Sequence, residues 1–167
     1  MLILKTERLD LREFTPDDAI HLFDLNSDPE VVKYTGDGPY SSIEEARTFL
    51  EGYTCYSEYG MGRWAVIHRE TGDWLGWCGL KFHPETGEVD IGFRFFRDHW
   101  GKGYATESAK ACLDYGFETL GLFQISGRAL VDNLASIKVL VKVGLERKTQ
   151  VLDDTGLWEV WEKIRGL

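Results

Sequence analysis

The sequence predicts a mixed α/β fold in which a twisted, mostly antiparallel sheet is flanked by helices. Three observations lead to this fold class. Helix-start signals dominate the first third of the chain, three strands joined by short turns follow, and the last third alternates strands with helices. Strands joined by short turns pair antiparallel, and helices that connect strands cover the faces of the sheet.

The first elements are a strand and a helix. Leu9, Leu11 and Phe14 follow a near-alternating pattern that indicates a first strand. Thr15 then precedes Pro16, and this pair is typical of a helix start, because threonine caps free backbone N–H groups while proline fits the first turn. The apolar residues that follow can cover one side of this helix.

Two further helix starts come next. Residues 28–30, Asp-Pro-Glu, indicate a short helix, and the Ser-Ile-Glu-Glu capping box at 42–45 indicates a third helix that we expect to continue to about Tyr59. The later elements are expected in this order: strands at 64–67, 74–80 and 89–95, a helix from about 103 to 119, a strand at 123–131, a helix at 134–143, and two strands separated by 153–156.

Length and charge restrict the function. A chain of 167 residues with a net charge of −9 fits a single domain over residues 1–167, and its acidity argues against nucleic acid as a partner. No apolar run is long enough for a membrane span, and the apolar opening before Lys5 is too short for a secretory signal, so we expect a cytoplasmic location and no membrane partner. Cys55, Cys78 and Cys112 have no metal-ligand spacing, so no metal site is expected.

The segment from Trp100 to Glu107 carries the strongest chemical signal. It reads Trp-Gly-Lys-Gly-Tyr-Ala-Thr-Glu and joins a predicted strand to a predicted helix. Small residues let the backbone approach a ligand, and the free N–H groups of a helix start attract anions, so a diphosphate would fit here, with Lys102 adding positive charge. A tight turn is the alternative interpretation. The spacing fits neither a nucleotide P-loop nor a dinucleotide fingerprint.

A second segment, from Asn133 to Leu145, has the same strand-to-helix character. Asn133 can cap its helix and Gly144 can end it. Ser136 and Leu140 are four residues apart and therefore share one face of that helix.

Together these segments resemble the GNAT superfamily of N-acetyltransferases, and within it the branch that acetylates ribosomal-protein N-termini. The superfamily's acyl-CoA signature falls on Trp100, Gly103 and Ala105, with Trp100 in place of the usual Gln or Arg. The branch's Asn-x-x-Ser and Lys-x-Gly match Asn133 to Gly144, and Thr6 to Arg12 is similar to the branch's opening.

The resemblance implies acetyl-CoA as co-substrate, held where the central sheet splays. The backbone of 94–96 would pair with pantetheine, the segment 100–106 would hold the pyrophosphate, and Asn133 would hydrogen-bond the pantetheine arm. The cofactor-binding residues expected from the resemblance are Arg94, Phe95, Phe96, Trp100, Gly101, Lys102, Gly103, Tyr104, Ala105, Thr106 and Asn133.

Transfer to an amine also needs a group that accepts a proton and a donor for the leaving thiolate. Asp90 is the first candidate base, because lysine-acetylating relatives place a catalytic glutamate there. It is short enough to need a water relay, and its alternative role is only to pair with Arg94 or with a neighbouring strand. Glu88 is the second candidate. Many superfamily members use a tyrosine where this chain has Leu140, so Ser136 is the expected donor, with a backbone-bonded hydroxyl as the alternative.

The predicted function is acetyl transfer to a primary amine by direct attack in a ternary complex. The branch resemblance makes a protein N-terminal α-amine the first acceptor. Polyamines, amino acids and antibiotic amines stay open, as does a CoA-binding module without catalysis, and an exposed edge strand would allow a homodimer.

Overall fold

The computed structural model describes residues 1–167. Its strands are β1 Leu2–Lys5, β2 Leu9–Glu13, β3 Arg63–His68, β4 Trp74–His83, β5 Glu88–Phe95, β6 Gln124–Leu130, β7 Glu146–Asp153 and β8 Gly156–Ile164. Its helices are α1 Ala19–Ser27, α2 Pro29–Val32, α3 Ile43–Glu51, α4 Cys55–Tyr59, α5 Tyr104–Asp114 and α6 Leu134–Lys142. Short 3-10 turns cover Pro16–Asp18 and Arg97–His99, and a π-helical turn covers Tyr115–Thr119.

All eight strands form one sheet in the order β1-β2-β3-β4-β5-β6-β8-β7. Every neighbouring pair is antiparallel except β5 and β6. Those two are parallel and pair only at Asp90 with Ser126 and at Ile91 with Gly127. Residues 92–95 of β5 therefore have a strand partner on the β4 side only, and the sheet opens between β5 and β6.

Helices cover both faces of the sheet. Trp64 and Val66 of β3 belong to the larger apolar cluster, which includes residues of α5 and α6, whereas Ala65 belongs to a second cluster with residues of α1 and α3. Because side chains alternate along a strand, these clusters lie on opposite faces. The predicted mixed α/β class with a mostly antiparallel, splayed sheet is confirmed. None of the helices has the length and apolar character needed to cross a membrane.

Two local predictions are wrong. The strand that begins at Leu9 is the second one, because Leu2–Lys5 precedes it and pairs with it as an edge strand. The four residues of β1 are too few to show a strand pattern in the sequence alone. The third helix does not reach Tyr59, because it ends at Glu51 and a separate α4 begins at Cys55. Between them, Tyr53 leaves helical geometry and its hydroxyl accepts a 2.8 Å hydrogen bond from the N–H of Arg63.

Candidate active site

A cavity of about 400 Å³ lies beside the opening between β5 and β6. Its walls come from the end of β5, the segment that leads into α5, and the first turns of α6. Nine of the expected cofactor-binding residues line it: Arg94, Phe95, Trp100, Gly101, Gly103, Tyr104, Ala105, Thr106 and Asn133. The structure thus brings together two sequence segments that are about thirty residues apart.

The segment before α5 has the geometry of an anion cradle. Gly101 and Gly103 both have left-handed backbones, with φ of 73° and 82°, which other residues adopt only at a cost. The N–H groups of the first turn of α5 have no partner inside the helix, so they remain available to an anion. The indole Nε1 of Trp100 donates a 2.9 Å hydrogen bond to the carbonyl of Phe95, which ties this segment to the end of β5.

Lys102 and Phe96 do not line this cavity. The side chain of Lys102 is exposed, and the lysines on the cavity wall are instead Lys138 and Lys142 of α6, in addition to Arg94. The backbone N–H of Phe96 donates to the carbonyl of Leu75, so Phe96 continues the pairing with β4. Lys138 and Lys142 share one face of α6, but the sequence alone did not show that this face lies opposite the segment before α5.

The residues that are present fit acetyl-CoA. Phosphate groups would meet the free N–H groups of the cradle and the two lysines of α6, and a pantetheine arm would lie along the unpaired edge of residues 92–95. The Nε of Arg94 is buried beside this cavity and has no hydrogen-bond partner within the chain.

A second cavity of about 280 Å³ adjoins the first. Both are lined by Tyr34, Thr35, Phe93, Arg94, Asn133 and Ser136, and the second is also lined by Arg63, Trp77, Asp90, Ile91, Gly92, Arg128, Ala129, Leu140, Asp153 and Trp158. Two predicted catalytic residues therefore line the second cavity: Asp90 lies in its wall, and Ser136 lies where the two cavities join.

Asp90 is held by two basic side chains. Its Oδ1 accepts a 2.6 Å hydrogen bond from Nη2 of Arg63, and its Oδ2 lies 3.0 Å from Nε2 of His83. Burial would raise the pKa of Asp90, but the charge and hydrogen bond of Arg63, together with the hydrogen bond from His83, outweigh burial and lower that pKa. The ion pair is thus present, although its partner is Arg63 rather than Arg94.

Glu88 lies near the turn that precedes β5, is exposed, and lines neither cavity. Among the aromatic residues that could hold an amine, Tyr34 lines both cavities, whereas Trp64 is buried in the core. Tyr53 and Tyr56 instead hydrogen-bond the backbone of Arg63, where β3 begins. Of the two predicted carboxylates, Asp90 lines a cavity and Glu88 does not.

The sequence interpretation missed Arg63, Trp77 and Arg128. The guanidinium of Arg63 lies 5.5 Å from the centre of the Trp77 ring and that of Arg94 lies 5.2 Å from it, so two cations stack on one indole. One signal was available: Gly79 and Gly92 interrupt two strands and pair with each other, and glycine within a strand often marks a close approach by another group.

Comparisons with known proteins agree with this site. Residues 8–146 match the family model described as "Acetyltransferase (GNAT) domain". The chain is 35% identical to an uncharacterized N-acetyltransferase, p20, of Bacillus licheniformis, over 99% of this chain and 90% of that protein. It is also 31% identical to the FsC-acetyl coenzyme A-N(2)-transacetylase of Aspergillus fumigatus, over 85% of this chain and 64% of that protein.

A solved structure of similar fold supports the same conclusion. The GNAT-family acetyltransferase from Bacillus anthracis has a TM-score of 0.83 and 26% identity, with 98% of each chain covered. Three findings agree on the family of this chain: the match over most of its length, the splayed sheet and the cradle before α5. The chain belongs to the GNAT family and is an N-acetyltransferase that uses acetyl-CoA.

Proposed function

We propose that this enzyme acetylates the α-amine of a protein N-terminus in the cytoplasm, by direct attack on acetyl-CoA in a ternary complex. The observation that carries the proposal is the junction of the two cavities at Ser136, with Asp90 in the wall of the second. Donor and acceptor can therefore enter from different sides and meet at one point, and no covalent enzyme intermediate is needed.

The first cavity is assigned to the donor. Its cradle and its lysines would hold the phosphates, and Asn133 and the free edge of β5 would hold the pantetheine arm. Acetyl-CoA, when bound, supplies an acetyl group activated as a thioester. The protein's contribution is to place that group beside the second cavity and to keep the amine close to it.

Asp90 is assigned to the acceptor amine. Because Arg63 and His83 keep Asp90 ionised and lower its pKa, it is a weak base, and its role is to orient the amine and accept its proton through water. A weak base suits an amine that loses its proton readily. An α-amine has a pKa near 8 and a lysine amine one near 10.4, so neutralising the α-amine costs about 3 kcal/mol less.

Charge in the second cavity also favours a single amine. Three guanidinium groups, those of Arg63, Arg94 and Arg128, line it beside the carboxylates of Asp90 and Asp153. Arg63 pairs with Asp90, Arg94 with Asp37 and Arg128 with Asp153. No carboxylate of these pairs is therefore left over for the further positive charges of a polyamine, whereas the N-terminus of a peptide brings one charge.

Ser136 is assigned to the leaving thiolate. Its Oγ accepts a 3.0 Å hydrogen bond from Nδ2 of Asn133 and donates none within the chain. The hydroxyl hydrogen is therefore free to point into the junction of the cavities. A donor there would stabilise the negative charge that develops on sulfur when the thioester breaks.

The test is release of CoA thiol from acetyl-CoA with three matched acceptors. These are a peptide with a free Ser or Ala N-terminus, the same peptide with its N-terminus blocked and one lysine added, and spermidine. Turnover should be at least about tenfold faster with the free N-terminus, since α-amine and lysine differ by more than two pKa units. Faster turnover with spermidine or with the blocked lysine peptide would contradict the proposed acceptor. CoA binding by calorimetry without turnover on any acceptor would favour a binding module.

A further inference from the structure

Arg8 connects the N-terminal segment of the chain to the cradle. It lies just before β2, and its side chain reaches the residues that lead into α5, about a hundred positions later in the sequence. Arg8 does not line either cavity, so it would not contact a bound donor. Its contacts nevertheless involve three residues of the segment 102–107.

One side of Arg8 is held by Glu107. The carboxylate of Glu107 accepts 2.7 Å and 2.9 Å hydrogen bonds from Nε and from the backbone N–H of Arg8, and a 2.6 Å bond from Thr6 Oγ1. Because several hydrogen bonds converge on one carboxylate, the direction of the guanidinium is well defined.

The other side of Arg8 holds the cradle. Nη1 donates a 2.8 Å hydrogen bond to the backbone carbonyl of Lys102, and the guanidinium lies 4.5 Å from the centre of the Tyr104 ring. A Cβ atom placed on Gly103 would lie 3.3 Å from Nη2, so the loop and the guanidinium are closely packed.

The carbonyl of Lys102 and the N–H of Gly103 belong to one peptide group, in which they point in opposite directions. A hydrogen bond that holds this carbonyl toward Arg8 therefore holds the Gly103 N–H away from Arg8. Gly103 lines the donor cavity, whereas Arg8 does not. Fixing the carbonyl thus also fixes the direction of an N–H donor in the wall of this cavity.

We propose that Arg8 is a positioning residue for the donor pyrophosphate, acting through the Lys102–Gly103 peptide group. This inference rests on the proposed function only in taking the first cavity as the donor site. If Arg8 were lost, the peptide group would be free to rotate and would turn a carbonyl oxygen toward the phosphates. Binding of the pyrophosphate would then weaken, while the reacting groups beside Ser136 would be unchanged.

The test compares Arg8→Lys and Arg8→Met with two donors, acetyl-CoA and S-acetylpantetheine, which lacks the pyrophosphate. For Arg8→Met, we expect the Kd of CoA by calorimetry and the KM for acetyl-CoA to rise about tenfold, as for the loss of one charge-assisted hydrogen bond. We expect kcat to stay within about twofold, because the reacting groups do not move. The KM for S-acetylpantetheine should not change. Arg8→Lys should show a smaller effect than Arg8→Met. An ammonium group keeps the positive charge and can bind one of the two partners, although it cannot hold Glu107 and Lys102 together.

Arg69→Met is the matched control. Nη1 of Arg69 donates to the carbonyls of Thr6 and Glu7 in the same segment, but Arg69 does not contact the cradle, so donor affinity should be retained. The proposal would be overturned if the KM values for acetyl-CoA and S-acetylpantetheine rose equally in Arg8→Met, or if the Kd of CoA did not change in that variant. If Arg8→Met does not fold, the same comparison of KM values for acetyl-CoA and S-acetylpantetheine is made with Arg8→Lys, and the same outcomes support or overturn the proposal. Failure of the wild-type enzyme to bind CoA would instead overturn the donor assignment itself.

Discussion

A Cβ atom placed on Gly92 would lie 2.6 Å from Nη2 and 2.7 Å from Cζ of Arg63. The absence of a side chain at Gly92 is therefore what lets the guanidinium lie across β5 and reach Asp90. Arg63 is fixed there, because it also donates hydrogen bonds to the backbone carbonyls of Gly79 and Asp90, at 2.7 Å and 3.2 Å. One glycine thus makes room for the ion pair between Arg63 and Asp90 in the wall of the second cavity.

Gly92→Ala should displace Arg63 and lower activity. The φ of Gly92 is not positive, so alanine costs little in the backbone itself, and the effect should come from the collision. We expect kcat/KM for the amine to fall about tenfold or more, as for loss of a charge-assisted contact, with a smaller effect on CoA affinity. Gly38→Ala is the control, because nothing lies within 4 Å of its Cβ position. Wild-type kinetics in Gly92→Ala would show that Arg63 is not needed in its present place.

Ser136→Ala should remove the donor to the leaving thiolate. We expect kcat to fall about 10- to 100-fold, a typical loss for one proton donor, while the KM for acetyl-CoA changes little. Ser57→Ala is a suitable control, because the Ser57 hydroxyl donates to the carbonyl of Thr54 on an exposed surface. An unchanged kcat in Ser136→Ala would leave the hydroxyl without a catalytic role.

Asp90→Asn should lower kcat/KM for the amine. In the wild type, titration of Asp90 itself should not shape the pH profile. Because burial is outweighed by Arg63 and His83, the pKa of Asp90 lies below its usual range and the carboxylate stays ionised at any pH useful for assay. The wild-type kcat/KM should therefore rise with pH until the acceptor's own pKa, about 8 for an α-amine. A profile that levels off well below that pH would contradict deprotonation of a free α-amine as the pH-dependent step.

Glu107→Gln should reduce stability at neutral pH but much less in acid. Burial raises the pKa of Glu107, yet the hydrogen bonds from Thr6 and from Arg8 outweigh burial and lower it. A carboxylate with a lowered pKa in the folded state stabilises the fold above its unfolded pKa, near 4.3, and loses that contribution as the pH falls through the folded value. The difference in Tm between wild type and Glu107→Gln should therefore shrink between pH 6 and pH 3.

Glu51→Gln is the control for this measurement. Glu51 is exposed at the end of α3 and makes no ion pair. The Tm of Glu51→Gln should therefore equal that of the wild type at every pH. A difference for Glu107→Gln that stays constant from pH 6 to pH 3 would show that the charge of Glu107 is not what stabilises the contact with Arg8.

Much of the architecture was predictable because its signals are local. The Thr15-Pro16 helix start, the capping at Ser42 and the hairpin turns of the meander depend on neighbouring residues, and each is found in the structure. The strand-to-helix glycines at 101 and 103 indicated an anion site for the same reason. Element ends were less predictable, since Tyr53 leaves its helix for a hydrogen bond to a distant strand.

The sequence by itself determined the fold class and the segment proposed to hold the donor, because backbone conformation and helix N-termini depend on a few consecutive residues. The family came from the resemblance of two motifs to known acetyltransferases. Only the tertiary structure decided which residues line the second cavity and which residues support the cradle. Asp90 meets Arg63 because β3, β4 and β5 pair in one register, and Arg8 reaches Lys102 because β2 and α5 pack together. Contacts between residues far apart in sequence depend on strand register and helix packing, which local sequence patterns do not specify.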